Sequence, residues 1–488
     1  MCFAAPVQRS KCSAVSDGPA CCSRGTLPTL SKQSEQWKKG RVMMSELERR
    51  TIRKITWRLI PFLMLCYLIA FLDRTNVAFA HVSMVADLKM SDAAFGLGAG
   101  VFFLGYFLVE VPSNILLQRF GARRWIARIM ISWGIVSGAF AFIPQIAAVT
   151  GTSNERVFLV LRFLLGLAEA GFYPGIIFYL TMWFPKVYRA RIVGFFMVGI
   201  PLSAFIGAPL SGFLLNIESH GLTGWQWLFI YEALPSVILG LATLIVLPDF
   251  PNGVRWLADD ERDWIIDSLR NEAAATEHSA GHGGFLTAML NPLILQLSFV
   301  YFLSQAAGYS AGLFLPGIVA KFGYDNTTTG WLLSIPPIFG IVGMLAVARS
   351  SDRRRERKLH LALCFALVGI GLTGAGLAAS HIAVLLIFVS IFAIGSSALT
   401  PVFWTIPPTL LKPGVLAAGI AAVNSLGALG GFVGPTVFGY VKEATGSAPY
   451  GLMIGGAAAF VSALMVLMFR VRQEAPAATP SQVAAVTG

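Results

Sequence analysis

Long apolar runs, cut by short polar and basic stretches, set the rhythm of this chain. Twelve stand out, at residues 60–80, 94–117, 125–143, 157–180, 192–215, 226–247, 293–319, 331–348, 361–379, 382–406, 415–440 and 451–469. An α-helix of about 20 apolar residues crosses a hydrocarbon core about 30 Å thick. The period-two alternation of a membrane barrel is absent. The pattern therefore predicts an all-α membrane protein with twelve transmembrane helices in two six-helix halves. Between the sixth and seventh runs the chain turns polar and acidic, with Asp259, Asp260, Glu261, Asp263 and Asp267 beside Trp256 and Trp264. That stretch reads as a loop carrying a short amphipathic helix at the membrane surface. The expected layout is a disordered cytoplasmic tail over 1–55, a first half over 56–247, a cytoplasmic loop over 248–291, a second half over 292–470 and a cytoplasmic tail over 471–488.

The halves echo each other. Gln118–Trp125 reads QRFGARRW after the second run, and Ser351–Lys358 reads SDRRRERK after the eighth. Gly207, Pro209 and Gly212 close the fifth run; Gly434, Pro435 and Gly439 close the eleventh. Small residues and prolines at such points permit close helix packing and bending in lipid.

Composition agrees with this layout. Of 488 residues, 56% are hydrophobic and 13% charged, against about 25% charged in soluble domains. The net charge of +12 comes from loops expected to stay inside, not from a nucleic-acid surface. Lysines and arginines gather before the first run and after runs two, four and eight, which puts both termini in the cytoplasm; the membrane expected is the cell inner membrane. The first 30 residues lack the apolar core of a secretory signal. Four of the six cysteines (Cys2, Cys12, Cys21, Cys22) lie in the tail, and Cys66 and Cys364 lie in apolar runs. With no C-x-x-C pair, no metal or cofactor is expected. Gly308–Gly312 matches G-x-S-x-G, but no strand–turn–helix surrounds it and all six histidines lie in or beside loops, so it reads as helix packing rather than as a hydrolase nucleophile. His278 and His282 fall in a Gly/Ser/Ala-rich stretch that reads as a solvated loop.

Charge inside the apolar runs is the informative exception. Asp73 and Arg74 are the only charges of the first run, and Arg162 and Glu169 sit in the fourth. A charge at mid-membrane costs roughly 2.5–3.5 kcal/mol on insertion scales, so such residues are functional candidates. Helix rise places Asp73 about 20 Å from the inner side and Arg162 about 22 Å, so the pair and Arg162 share one level. Glu169 follows Arg162 by about two turns and points the same way. A fixed ion-pair network that locks helices together is the structural alternative. Runs 7–11 carry no charge; their polar groups are Gln305, Tyr309, Trp404, Asn424 and Ser425. Asp73, Arg74, Arg162 and Glu169 sum to zero, so a bound carboxylate leaves excess negative charge. Protonating Asp73 or Glu169 restores neutrality and frees an arginine, whose planar fork suits a carboxylate. Anion and proton then favour each other.

FLDRTNVAFA in the first run, GYFLVEVPSNILLQRFGARRW across the second and third, RFLLGLAEAGFYPG in the fourth and WQWLFIYEALPS in the sixth closely resemble the anion:cation symporter family of the major facilitator superfamily. The resemblance covers residues 45–472 and is nearest to bacterial tartrate/phthalate-type permeases, whose relatives carry sugar acids. It implies that Arg74 binds substrate carboxylate, that Asp73 and Glu169 are protonation sites controlled by Arg162, and that Tyr106, Trp404 and Asn424 line the substrate cavity, which Tyr309 joins from the neutral half. It also puts a gating motif at Arg119, Gly121 and Arg123, repeated at Asp352 and Arg353. That motif usually has an acid where this chain has Gln118, while Asp352 keeps it in the second half. The function expected is proton-coupled import of small organic anions by a monomer in the lipid bilayer. A uniporter or exporter of a similar anion is the nearer alternative, and a membrane-embedded enzyme the more distant one.

Overall fold

The computed structural model describes residues 30–277, 290–354, 356–378, 380–411 and 413–469. Residues up to Arg50 form one compact unit, and Thr51 onward form a second. The first unit is described as helix from Leu30. The disorder expected of the tail's first 29 residues, the four tail cysteines, His278, His282 and the tail over 471–488 lie outside the described residues.

Twelve helices are long and apolar enough to span a membrane. They are α1 (Glu46–Leu88, the membrane-length part of a helix that starts at Leu30), α2 (Asp92–Phe120), α3 (Ala122–Thr150), α4 (Asn154–Thr181), α5 (Lys186–Leu214) and α6 (Gly224–Val246). After the connecting segment come α7 (Pro292–Ala320), α8 (Asn326–Arg354), α9 (Lys358–Leu377), α10 (Ile382–Phe403), α11 (Ala418–Thr445) and α12 (Ala448–Met468). Each coincides with one apolar run, and most begin a few residues before it. Helix is what lipid demands, because every backbone N–H and C=O must be satisfied within the segment. Polar residues set the ends: Ser91 and Ser153 accept N-terminal amides of α2 and α4, and Thr223 with Gln226 boxes the start of α6.

Within the first half α3 packs on α6 and α2 on α4; within the second, α7 packs on α11, α8 on α10, and α9 on α10 and α12. The halves meet along two seams, α2 with α11 and α5 with α8. Both depend on missing side chains. A Cβ on Gly96 would strike Pro435 and Gly439 of α11, and one on Gly330 of α8 would strike the backbone of Ala208 and Pro209 of α5. Asn216 holds the second seam through Thr327 at 2.8 Å and Asn326 at 3.0 Å.

The connecting segment carries a helix, Asp259–Glu277. Glu261 pairs with Lys54 at 2.8 Å and Glu272 with Arg189 at 2.6 Å, tying it to α1 and α5. Trp256 stacks on Trp183 of the α4–α5 turn, 5.7 Å between centroids.

Candidate functional site

Arg74 and Glu169 meet. The guanidinium of Arg74 forms an ion pair with Glu169 across α1 and α4. Its other arm donates to the Tyr309 hydroxyl of α7 at 3.5 Å. Phe71, Phe102 and Tyr106 surround the cation, their ring centroids 5.1, 5.5 and 5.8 Å away. Arg74 thus joins the two halves through a tyrosine, with three aromatic rings around its guanidinium. Tyr309 is fixed in turn against Phe103 of α2, 4.2 Å between centroids.

The other two charged candidates stand apart from this pair. Asp73 is buried and accepts from Ser137 of α3 and from Asn76 at 2.9 Å. Arg162, also buried, donates to the carbonyls of Gly98 and Ala99 at 3.3 and 3.4 Å and lies 5.1 Å from the Phe102 centroid. The four charges therefore occupy one region without forming a single mutual cluster. Neighbours on a helix point about 100° apart, so adjacent Asp73 and Arg74 reach different partners.

Glu169 ends a helix. The backbone leaves helical geometry at Ala170, Gly171 takes φ +89°, and a second helix starts at Phe172. The freed Ala170 carbonyl accepts from Ser113 of α2 at 2.7 Å, and Ser113 accepts from the Trp125 indole at 3.0 Å.

On the far side, Trp404 follows the last residue of α10 and packs edge-on to Tyr301, 5.3 Å between centroids. Asn424 of α11 donates to Glu110 of α2 at 2.8 Å, which closes the first seam below the charged pair.

At the expected gating motif, Gly121 turns the chain at φ +87°. The amide of Arg123 donates to Asp249 at 2.9 Å, and the Arg123 guanidinium stands 3.9 Å from the same carboxylate. Asp249 lies just beyond α6, so the acid this turn contacts comes from elsewhere in the chain than Gln118. Arg119 lies 5.8 Å from the Phe120 ring. In the second half Asp352 pairs with Arg357 at 2.5 Å, while Arg353 is exposed.

Several acidic and basic groups were given no site role from the sequence. Glu232 of α6 is buried, accepts from Ser211 at 2.8 Å and has a second oxygen without a partner. His81 is not a loop residue: it is buried in α1, 3.1 Å from Asp92 and stacked on Phe95. Asp92 also pairs with Lys442 of α11, and Glu443 accepts from the Ala93 amide at 2.8 Å. Among the described residues no group of three His, Cys, Asp or Glu side chains is arranged to hold a metal ion.

The profile described as Major Facilitator Superfamily matches residues 63–289 and 297–487. The chain is 44% identical to an Agrobacterium vitis protein named "Putative tartrate transporter", over 87% of this chain and 96% of that one. It is 42% identical to the "Quinolone resistance transporter" of Acinetobacter baumannii, over 83% and 92%. The fold is also that of the xylose transporter XylE from E. coli, in a partially occluded inward-open conformation, with TM-score 0.69, 14% identity and coverage of 87% of this chain and all of that one.

Proposed function

Since the chain belongs to the Major Facilitator Superfamily and is a multi-pass membrane transporter rather than an enzyme, we propose that its cargo is a small organic anion and that its import is driven by protons. The carrying observation is the caged Arg74, held between Glu169 of the first half and Tyr309 of the second. An incoming carboxylate competes with Glu169 for the same planar fork. Once displaced, Glu169 is a buried carboxylate without its cation, and taking a proton is its cheapest response. Proton and anion therefore bind together, and the Tyr309 contact carries the event to the second half. Asp73, held by Ser137 and Asn76, serves as a second proton site, and Arg162 beside Phe102 tunes both. Tyr106, Trp404 and Asn424 complete the cargo surface.

The proposed setting is a monomer in the inner membrane with both termini in the cytoplasm, as the loop lysines and arginines favour. The likeness to a protein named a tartrate transporter supports hydroxy-dicarboxylates, with phthalate and sugar acids in the same class. The likeness to one named a quinolone resistance transporter supports outward movement as the second reading. Both are tested by uptake of labelled tartrate, phthalate and galactonate into proteoliposomes with an inward proton gradient. Import of a carboxylate that collapses with the gradient is expected. Arg74→Lys should lower it at least tenfold while membrane insertion is unchanged, because lysine keeps the charge and loses the fork. Wild-type uptake by that variant removes Arg74 from the reading. Acceleration only by an outward-directed cargo gradient makes the protein an exporter.

A further inference from the structure

The turn between α2 and α3 carries more positive charge than its own surroundings neutralise. Four arginines, Arg119, Arg123, Arg124 and Arg128, fall within ten residues. Asp249 engages Arg123 through both its amide and its guanidinium. Among the described residues no carboxylate pairs with Arg119, Arg124 or Arg128. Arg128 is the costly one in a membrane span. It lies six residues into α3, about 9 Å along the axis from the first residue of the helix. Its Nε is buried and has no hydrogen-bond partner.

The direction in which Arg128 points decides what can neutralise it. Ile126, Ile129 and Trp133 form the buried face of α3, and Met130 and Gly134 lie against α6. At about 100° per residue, Arg124, Arg128 and Ile135 share the face that is left. Arg124 is exposed, and Ile135 is 61% exposed. In a membrane-spanning helix such a face looks onto lipid. Trp125 supplies a fixed floor beside it. Its indole donates to Ser113 of α2 at 3.0 Å and stacks on Phe120, 5.8 Å between centroids. The Arg128 guanidinium lies over the Trp125 ring, 4.2 Å from its centroid. A guanidinium laid flat on a ring keeps its N–H edge free, and that edge matches a phosphate. An arginine at this depth also extends its head towards the headgroup layer.

We propose that Arg124 and Arg128, on the Trp125 floor, form a binding site for the phosphate of an anionic phospholipid whose acyl chains run along Ile135. The headgroup is anionic rather than zwitterionic because no free acid stands at this turn, among the described residues, to meet a choline or an ethanolamine. The cytoplasmic leaflet as its source rests on the proposed orientation of the chain. Binding itself rests neither on that orientation nor on the identity of the cargo.

The test is native mass spectrometry of the purified full-length protein in detergent, titrated with phosphatidylglycerol and with phosphatidylcholine of the same acyl chains. The wild type should prefer phosphatidylglycerol by roughly tenfold or more, the scale set by two arginines beside an anionic headgroup. Arg124→Gln with Arg128→Gln should abolish the preference. Arg156→Gln with Lys321→Gln removes the same charge at other helix ends and should keep it. A photoreactive phosphatidylglycerol should crosslink the wild type within residues 120–135, a measurement that stands whether or not the double variant folds. Equal affinity of the wild type for both lipids, an unchanged preference in the Arg124/Arg128 variant, or no crosslink in that segment overturns the proposal. Displacement of the lipid by equimolar glycerol phosphate makes this a site for a soluble phosphate and overturns the lipid assignment.

Discussion

Two neighbouring residues carry opposite tasks here. Arg74 faces the seam between halves, and Asp73 faces the interior of its own half, where Ser137 and Asn76 hold it. Sequence reasoning found both, because charge in an apolar run is conspicuous, and merged them with Arg162 and Glu169 into one neutral cluster. Helix level is legible from residue count, but direction depends on which neighbour packs there, and that is a tertiary fact. Asp249 was invisible for the same reason: it lies 126 residues from the Arg123 amide it accepts. Glu232 was passed over within a motif quoted for its likeness. The separation of roles makes Glu169 the sharper test. Glu169→Gln removes the anion that, in the proposed mechanism, competes with cargo for Arg74. Exchange of cargo at equal pH on both sides should persist, while accumulation driven by a pH gradient should fall at least tenfold. Counterflow and gradient-driven uptake in the same proteoliposomes separate the two, and retained accumulation moves the proton site elsewhere.

At the scale of the element, α4 is broken beside the charged pair. A single long apolar run predicts one helix, and the structure has two, joined at Ala170 and Gly171. Hydropathy cannot report a break whose carbonyl is satisfied by another helix, here through Ser113. Half-helices beside a charged site are how transporters present backbone groups at mid-membrane. Gly171 permits this break twice over: its φ is +89°, and a Cβ would strike the Ser113 side chain. The left-handed conformation alone costs an L-residue roughly 1–2 kcal/mol. Gly171→Ala should therefore lower the melting temperature in detergent and slow transport more than Ala170→Gly does. Equal stability of the two variants would mean that the break is not strained. Gly121, at φ +87°, ends α2 by the same means, and its motif was legible because glycine at a turn between apolar runs is a sequence-level signal.

For the whole molecule, the twelve spans were readable because bilayer thickness fixes their length. Which spans meet was not, since lipid is as apolar as leucine and hydropathy carries no pairing information. The pairing signal lay in the glycines, whose importance depends on a partner backbone elsewhere in the chain. Gly330→Leu should wedge the α5–α8 seam apart near Asn216 and Thr327. The variant should insert normally, label more readily with impermeant reagents from the outer face, and lose uptake. Unchanged labelling from outside would show that this seam is not the outer closure. The tail is a separate matter, because the compact unit bearing the site begins at Thr51.

The α2–α11 contact has a mechanical consequence. Asp92 meets Lys442 at the start of α2, and Glu110 meets Asn424 about two-thirds of the way along it. At 1.5 Å per residue the two clasps stand about 27 Å apart along the helix. Such a rod is a lever. A turn of about 15° about the Asp92 clasp, an angle known for rigid-body switching, sweeps the Glu110 end through about 7 Å. That arc snaps a 2.8 Å hydrogen bond while the fulcrum hardly stirs. Loosening the fulcrum spreads the same torque over both ends, so the Asp92 clasp determines how far the Glu110 one travels.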